Sequence, residues 1–147
     1  MTLGPYPLTG VMQRLAPVSP LRFIGISADL ATALKTPPTV VPAAYVVREE
    51  RARDTTYGTG VQVQRIDAAI AVVYFVRNYR ESDSGAAARE EMDALIALGR
   101  EQLLGYRPSG EFTGLCLQSS NENLYGGALL ISQEVYLSTY RTTKVPT

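Results

Sequence analysis

The segment VQVQRIDAAIAVVYFVRNY, residues 61–79, carries the strongest apolar pattern in the chain. A strand points successive side chains to opposite faces. Ile66, Ala68, Ile70, Val72, Tyr74 and Val76 therefore share one face, while Val61 and Val63 share the other parity. The parity change near Gln64 and Arg65 predicts a bulge or a register break. From Ala68 to Val76 both faces are apolar, so a helix on one face leaves the other in need of cover. That cover could come from a second layer of the chain or from a neighbouring subunit.

A different period follows. Met92, Leu95, Ile96, Gly99 and Leu103 recur at helical spacing and predict a helix over about residues 86–104 with one buried stripe. Arg89, Glu90, Asp93, Arg100 and Glu101 fall largely outside that stripe. The polar turn RESDSG precedes the helix, with Asp83 or Ser84 as N-cap. Gly105 stands where a left-handed C-terminal cap belongs, and Pro108 blocks continuation.

The other elements are shorter. VMQRLA after Thr9 and Gly10 predicts a short helix ending before Pro17. LRFIGIS (21–27) alternates loosely and predicts a strand, ADLATALK (28–35) a short helix and AAYVVRE (43–49) another strand. EERARDTTYGTG (50–60) is charged and contains glycine, which suits a long surface loop or a projecting hairpin tip. FTGLCLQ (112–118) predicts a strand with Cys116 as a core thiol, SSNENLYGG (119–127) a polar connection, and ALLISQEVYLSTYR (128–141) a closing strand. In that last strand Leu129, Ile131, Val135 and Leu137 point one way. Ser132, Glu134 and Ser138 point the other, with Tyr136 and Tyr140 among them as an amphipathic option for a partner surface. The order predicts one α+β domain over residues 1–147, a mostly antiparallel β-sheet with helices packed on one side and a projecting loop at about 50–60.

Composition narrows the chemistry. The chain has no histidine, which removes the commonest general base and metal ligand near neutral pH. One cysteine leaves no internal disulfide and no Cys/His zinc site. GTG at 58–60 precedes a strand and marks a turn, and Glu90 and Glu91, as helix neighbours, do not face each other as an acid/base pair would. No catalytic, cofactor-binding or metal site is expected. No segment approaches the ~20 apolar residues of a membrane span, and MTLGPYPLTGVMQRL carries no basic-then-apolar leader, so no membrane or secretory role is expected.

Charge changes the picture once more. Net charge is zero, yet residues 1–80 hold nine Arg/Lys against five Asp/Glu, and residues 81–140 three against nine. The plain account is a solvated acidic helix face; the sharper one is a surface of two signs that docks copies head to tail. Arginine outnumbers lysine twelve to two, which suits interface ion pairs because the planar guanidinium grips carboxylates at two points. Nine scattered tyrosines and zero net charge argue against phosphate tracking along nucleic acid. Arg48, Glu49, Glu50, Arg51 and Arg53 nearly cancel one another, which favours ion pairing with a partner over a raised carboxyl pKa.

The stretch from Val61 to Gly110 resembles the tail terminator (tail completion) proteins of tailed bacteriophages. The features shared are a strand ending in VRN, a turn R-x-x-x-x-G-A-A, a helix carrying LIALGREQLLG, then an aromatic residue and a proline. ADLATALKTPPTVVPAAYV upstream and GGALLISQEVYLSTYR at the end extend the likeness over residues 12–141. The family often has Trp where Tyr106 stands, and this chain has none. The resemblance implies a structural virion protein of the neck region, not an enzyme. It implies a ring, typically a hexamer, that caps the head-proximal end of the tail tube, stops tube growth and joins the head-completion or connector proteins. The partners implied are a second copy, the tube protein, the sheath in a contractile tail, and DNA passing through the lumen without sequence-specific binding. Arg48, Glu49, Glu50, Arg51, Arg53, Asp54 and Tyr57 are the first candidates for reaching a neighbour or the tube, and Arg77, Tyr79 and Arg80 the next. Two other readings stay open: another connector or tube-like subunit of the same virion, and a small ligand-binding α+β domain.

Overall fold

The computed structural model describes residues 2–57, 60–77, 86–125 and 129–145, with backbone alone for 54–57, 86 and 123–125. Three helices, α1 (Thr9–Leu15), α2 (Ser27–Lys35) and α3 (Ala86–Leu103), accompany five strands: β1 (Phe23–Gly25), β2 (Ala43–Tyr57), β3 (Gln62–Arg77), β4 (Cys116–Tyr125) and β5 (Leu129–Lys144). They form one sheet in the order β1-β2-β3-β5-β4, antiparallel except for the β1–β2 pair. This is the expected α+β class.

β3 lies at the centre because its sequence demands it: both its faces are apolar, and only the middle of a covered sheet can bury both. One face of the sheet, called the helix face here, carries Ala44, Val46, Ile70, Val72, Tyr74, Val76, Tyr136 and Tyr140. It packs against Val11 and Leu15 of α1 and Ala88, Met92, Leu95 and Leu103 of α3. The opposite face carries Ala43, Tyr45, Val73, Phe75 and Leu129 beneath Leu30 and Ala33 of α2. The helices were expected on one side. That holds for α1 and α3, whereas α2 covers the other face, because the second apolar parity of β3 needs its own layer. Asp29 secures the start of α2, its Oδ2 accepting the Ile26 N–H at 2.9 Å.

α3 keeps the predicted stripe: Met92, Leu95, Gly99 and Leu103 are buried. Gly105 adopts φ 81° past its end, and its N–H donates to Leu115 O at 2.8 Å, so the cap also fixes the chain leading to β4. The turn at 80–85, with the expected caps Asp83 and Ser84, lies outside the described residues.

The register break foreseen near Gln64 and Arg65 is present in the β2–β3 pair, where the extra residue belongs to β2 between Arg53 and Thr56, while β3 pairs with β5 unbroken from Gln62–Lys144 to Arg77–Leu129. Two expectations about the next strand are corrected. β4 starts at Cys116 and includes the polar run read as a connection; it is an edge strand, so its polar side chains face water without cost. Cys116 is accordingly exposed rather than in the core, with Sγ 3.5 Å from Leu137 O.

The largest correction concerns β5. Leu130, Ser132, Glu134, Tyr136, Ser138 and Tyr140 are all buried, because pairing with β3 places them on the helix face. The face offered for a partner is therefore the inner one. The more apolar set, Ile131, Val135 and Leu137, is only half-buried on the outside.

Candidate functional site

The register across β2, β3 and β5 builds the site. Arg53 pairs with Arg65, and Arg65 with Arg141, so three arginines stand side by side on three adjacent strands. The next row holds Arg51, Asp67 and Thr139, the next Glu49, Ala69 and Leu137, and the next Val47, Ala71 and Val135. All share the parity of Val73 and Phe75, hence the face opposite α1 and α3. α2 covers Val73 and Phe75 but not these four rows: Ala69, Ala71, Val135 and Leu137 are only half-buried, and Glu49, Arg51, Arg53 and Arg141 are exposed. A shallow depression of about 510 Å³ runs between Arg51, Arg53 and Asp67 on one side and Ser119, Val135 and Leu137 on the other.

Asp67 organises the charge. Its side chain is 7% exposed and takes Arg53 Nε at 2.6 Å and Arg65 Nε at 3.2 Å, one on each oxygen. One carboxylate thus holds two guanidinium groups. Arg51 and Arg141 stand beside this triad with no carboxylate partner among the described residues. The patch is basic at the far end of the sheet and apolar toward its middle.

Of the residues singled out from the sequence, the structure brings Glu49, Arg51 and Arg53 onto this face. It turns Arg48 and Glu50 to the helix face, where they hold the N-terminal segment: Arg48 Nη1 donates to Tyr6 O at 2.6 Å, and Glu50 Oε2 accepts the Tyr6 N–H at 3.1 Å and the Tyr140 hydroxyl at 2.9 Å. Arg77 ends β3 at the opposite end of the sheet, twelve residues and so about 40 Å from Arg65 at ~3.3 Å per residue. The side chains of Asp54 and Tyr57, and all of Tyr79 and Arg80, lie outside the described residues. The sequence reading missed Arg65, Asp67 and Arg141. Arg65 and Asp67 did leave a signal, being polar at alternate positions in an otherwise apolar strand; Arg141 left none.

The strongest electrostatic perturbations lie elsewhere, inside the protein. Burial raises the Tyr6, Tyr74 and Tyr136 hydroxyls far above the ordinary tyrosine range, and burial followed by the hydrogen bond to Glu50 pushes Tyr140 up to about 12. These phenols are therefore neutral at neutral pH. A pKa raised in the folded state contributes stability that is complete below the unfolded value of 10 and is lost as pH rises through 12. Alkaline titration is thus expected to ionise these four tyrosines together with unfolding: tyrosinate absorbance and loss of circular dichroism should rise in one transition. Smooth ionisation of all nine tyrosines ahead of unfolding would contradict the buried placement.

Among the described residues no group of three His, Cys, Asp or Glu side chains is placed to hold a metal ion, and no helix is long and apolar enough to cross a membrane. What the protomer offers here is an open sheet face, basic at one end and apolar toward its middle.

Comparison with known proteins gives two results. A family model described as "Phage tail terminator protein" matches residues 1–146. A chain of a solved structure titled "Virion of native gene transfer agent (GTA) particle" aligns with 90% of this chain and 84% of its own, at 15% identity and a TM-score of 0.44. No curated protein matches the sequence.

Proposed function

We propose that this chain, which belongs to the phage tail terminator family and so is a structural protein of the virion, ends the growth of the tail tube by closing into a ring on its head-proximal end. The ring is a hexamer, and its free side is the platform for the head-completion proteins; in a contractile tail the sheath meets it as well. DNA passes through its opening without sequence-specific contacts. Its work is assembly, not turnover.

The observation that carries this reading is the uneven cover of the sheet. One face is closed by α1 and α3, while the other is closed only where α2 lies, leaving open in the protomer four rows that are mainly apolar and arginine side chains, with Glu49, Asp67 and Thr139 among them. A half-buried apolar strip beside fixed arginines is what an interface leaves behind when its partner is removed. β2, β3 and β5 also stay paired as far as Tyr57, Gln62 and Lys144, which extends the sheet beyond the arginine row.

Native mass spectrometry with and without purified tail tubes tests the reading. The expected result is a hexamer of the 16.0 kDa chain, formed either alone or on tube ends, with tubes that no longer elongate when it is bound. A protomer that stays monomeric and leaves tube growth unchanged would sink it.

A further inference from the structure

The ring reading names no contact surfaces, and the inference that follows rests on it. We infer that the open sheet face of one copy is covered by the outer side of α3 of the next, with the arginine row gripping that helix's carboxylates.

Three features meet in this assignment. The first is charge. Both arginines of α3 are already engaged within the protomer: Arg89 Nη1 lies 2.7 Å from Glu122 Oε2, and Arg100 Nε lies 2.5 Å from Glu134 Oε1. Glu90, Asp93 and Glu101 on the solvent side have no cationic partner among the described residues. The outer side of α3 is therefore acidic in effect, although its sequence is mixed. On the open sheet face the sign is reversed, since Asp67 occupies Arg53 and Arg65 and leaves Arg51 and Arg141 beside them.

The second is shape. The exposed residues Ala94, Ala97 and Leu98 form a low apolar ridge between those acids. Small residues let a helix lie close to a flat sheet, here over Ala69, Ala71, Val135 and Leu137. The open strip from Arg65 to Ala71 measures about 20 Å at ~3.3 Å per residue. Glu90 to Glu101 spans about 16 Å at ~1.5 Å per residue, so the helix fits within the strip.

The third is symmetry. α3 and the open face lie on opposite sides of one sheet. A contact between two different patches is heterologous and repeats from copy to copy, closing into a ring when its rotation closes. Each copy uses each patch once, and the uneven charge distribution along the chain matches that arrangement. Duplex DNA is the competing occupant of an arginine row, but Asp67 in the adjoining row and the apolar strip beyond it suit a protein partner better than a phosphate backbone.

Charge exchange tests this. One variant carries R51E and R141E, the other D93K and E101K. All four positions are exposed, so folding should be unchanged by circular dichroism, and R51Q/R141Q serves as a milder second pair. Each reversed variant alone is expected to self-associate at least roughly tenfold more weakly than wild type in native mass spectrometry at low salt. Their equimolar mixture is expected to recover assemblies of alternating composition, which an even-numbered ring can close. If wild type forms rings and the reversed variants form them equally well, or the mixture restores nothing, this contact is wrong while the ring stands. If wild type never assembles, with or without tubes, the ring reading fails and this inference with it. If R51E/R141E assembles normally but loses binding of a short DNA duplex that wild type holds, the row belongs to nucleic acid and the inference is overturned.

Discussion

Replacing Arg100 by alanine is expected to cost the fold about 3 kcal/mol, among the largest effects of any single surface-to-interior change here. Glu134 is fully buried, on the central part of β5 beneath α3. Its Oε1 takes Arg100 Nε at 2.5 Å, and its Oε2 has no partner among the described residues. Without the guanidinium the carboxylate is left in an apolar space beside two neutral tyrosines. The loss sits at the lower end of the usual range for breaking a buried pair, because the Arg100 side chain is 36% exposed and already partly hydrated. Chemical denaturation of Arg100→Ala should show this deficit as a lowered midpoint with an unchanged slope. The double variant R100L/E134L should recover most of the loss, as apolar groups of similar volume can replace a buried pair. A single variant as stable as wild type would mean that Glu134 is hydrated in solution.

Gly99→Val is expected to cost about 3 kcal/mol for a steric reason. A β-carbon at Gly99 would stand 2.0 Å from the Tyr74 hydroxyl oxygen and 3.2 Å from the ring carbon that bears it. Tyr74 is fully buried in the centre of β3, so its ring has nowhere to go. The glycine is the space into which the phenol projects. Gly99→Ala should cost less, because alanine regains about 1 kcal/mol of helix propensity. Tyr74→Phe supplies the control: it removes the atom that would be struck, and that hydroxyl has no hydrogen-bond partner among the described residues. Alone it should be close to neutral. Combined with G99A it should recover the deficit, giving a coupling above ~1 kcal/mol in a double-mutant cycle. Additive losses would show that the clash is relieved elsewhere.

Both predictions concern residues that were visible in the sequence but not in their roles. Gly99 was legible as part of the buried stripe of α3, because helical spacing alone places it with Met92, Leu95 and Leu103. The phenol it makes room for was not, since Tyr74 is twenty-five positions away and only the packing of α3 on β3 joins them. Glu134 was misread outright. Alternation grouped it correctly with Ser132 and Ser138, and the tyrosines among these polar residues then suggested a surface for a partner. In the structure the group is roofed by α3. Arg100 and the pairing of Ser138 Oγ with Thr113 O at 2.7 Å let a polar set lie inside. Pattern reveals which residues share a face but not which face is covered when both are mixed.

The same limit governs the contact surface. Arg51 and Arg53 stood out as a charged stretch, but Arg48 and Glu50, equally conspicuous, lie on the helix face and hold Tyr6. The strand continues through this stretch to Tyr57, so side chains alternate, and neighbours in sequence separate onto opposite faces.

By itself, then, the sequence determined what rests on local periodicity and local backbone chemistry. α3 with its glycine cap, the apolar strand β3, the mixed helix–strand order and the family likeness were all legible there. The tertiary structure alone decided the placing of α2 on the second face, the inward turn of β5 and the row Arg53–Arg65–Arg141. The physical reason is that a strand's alternation has period two and carries no sign. The sign comes from strand register and from which helix finds which face, and those are set by contacts between residues far apart in the chain.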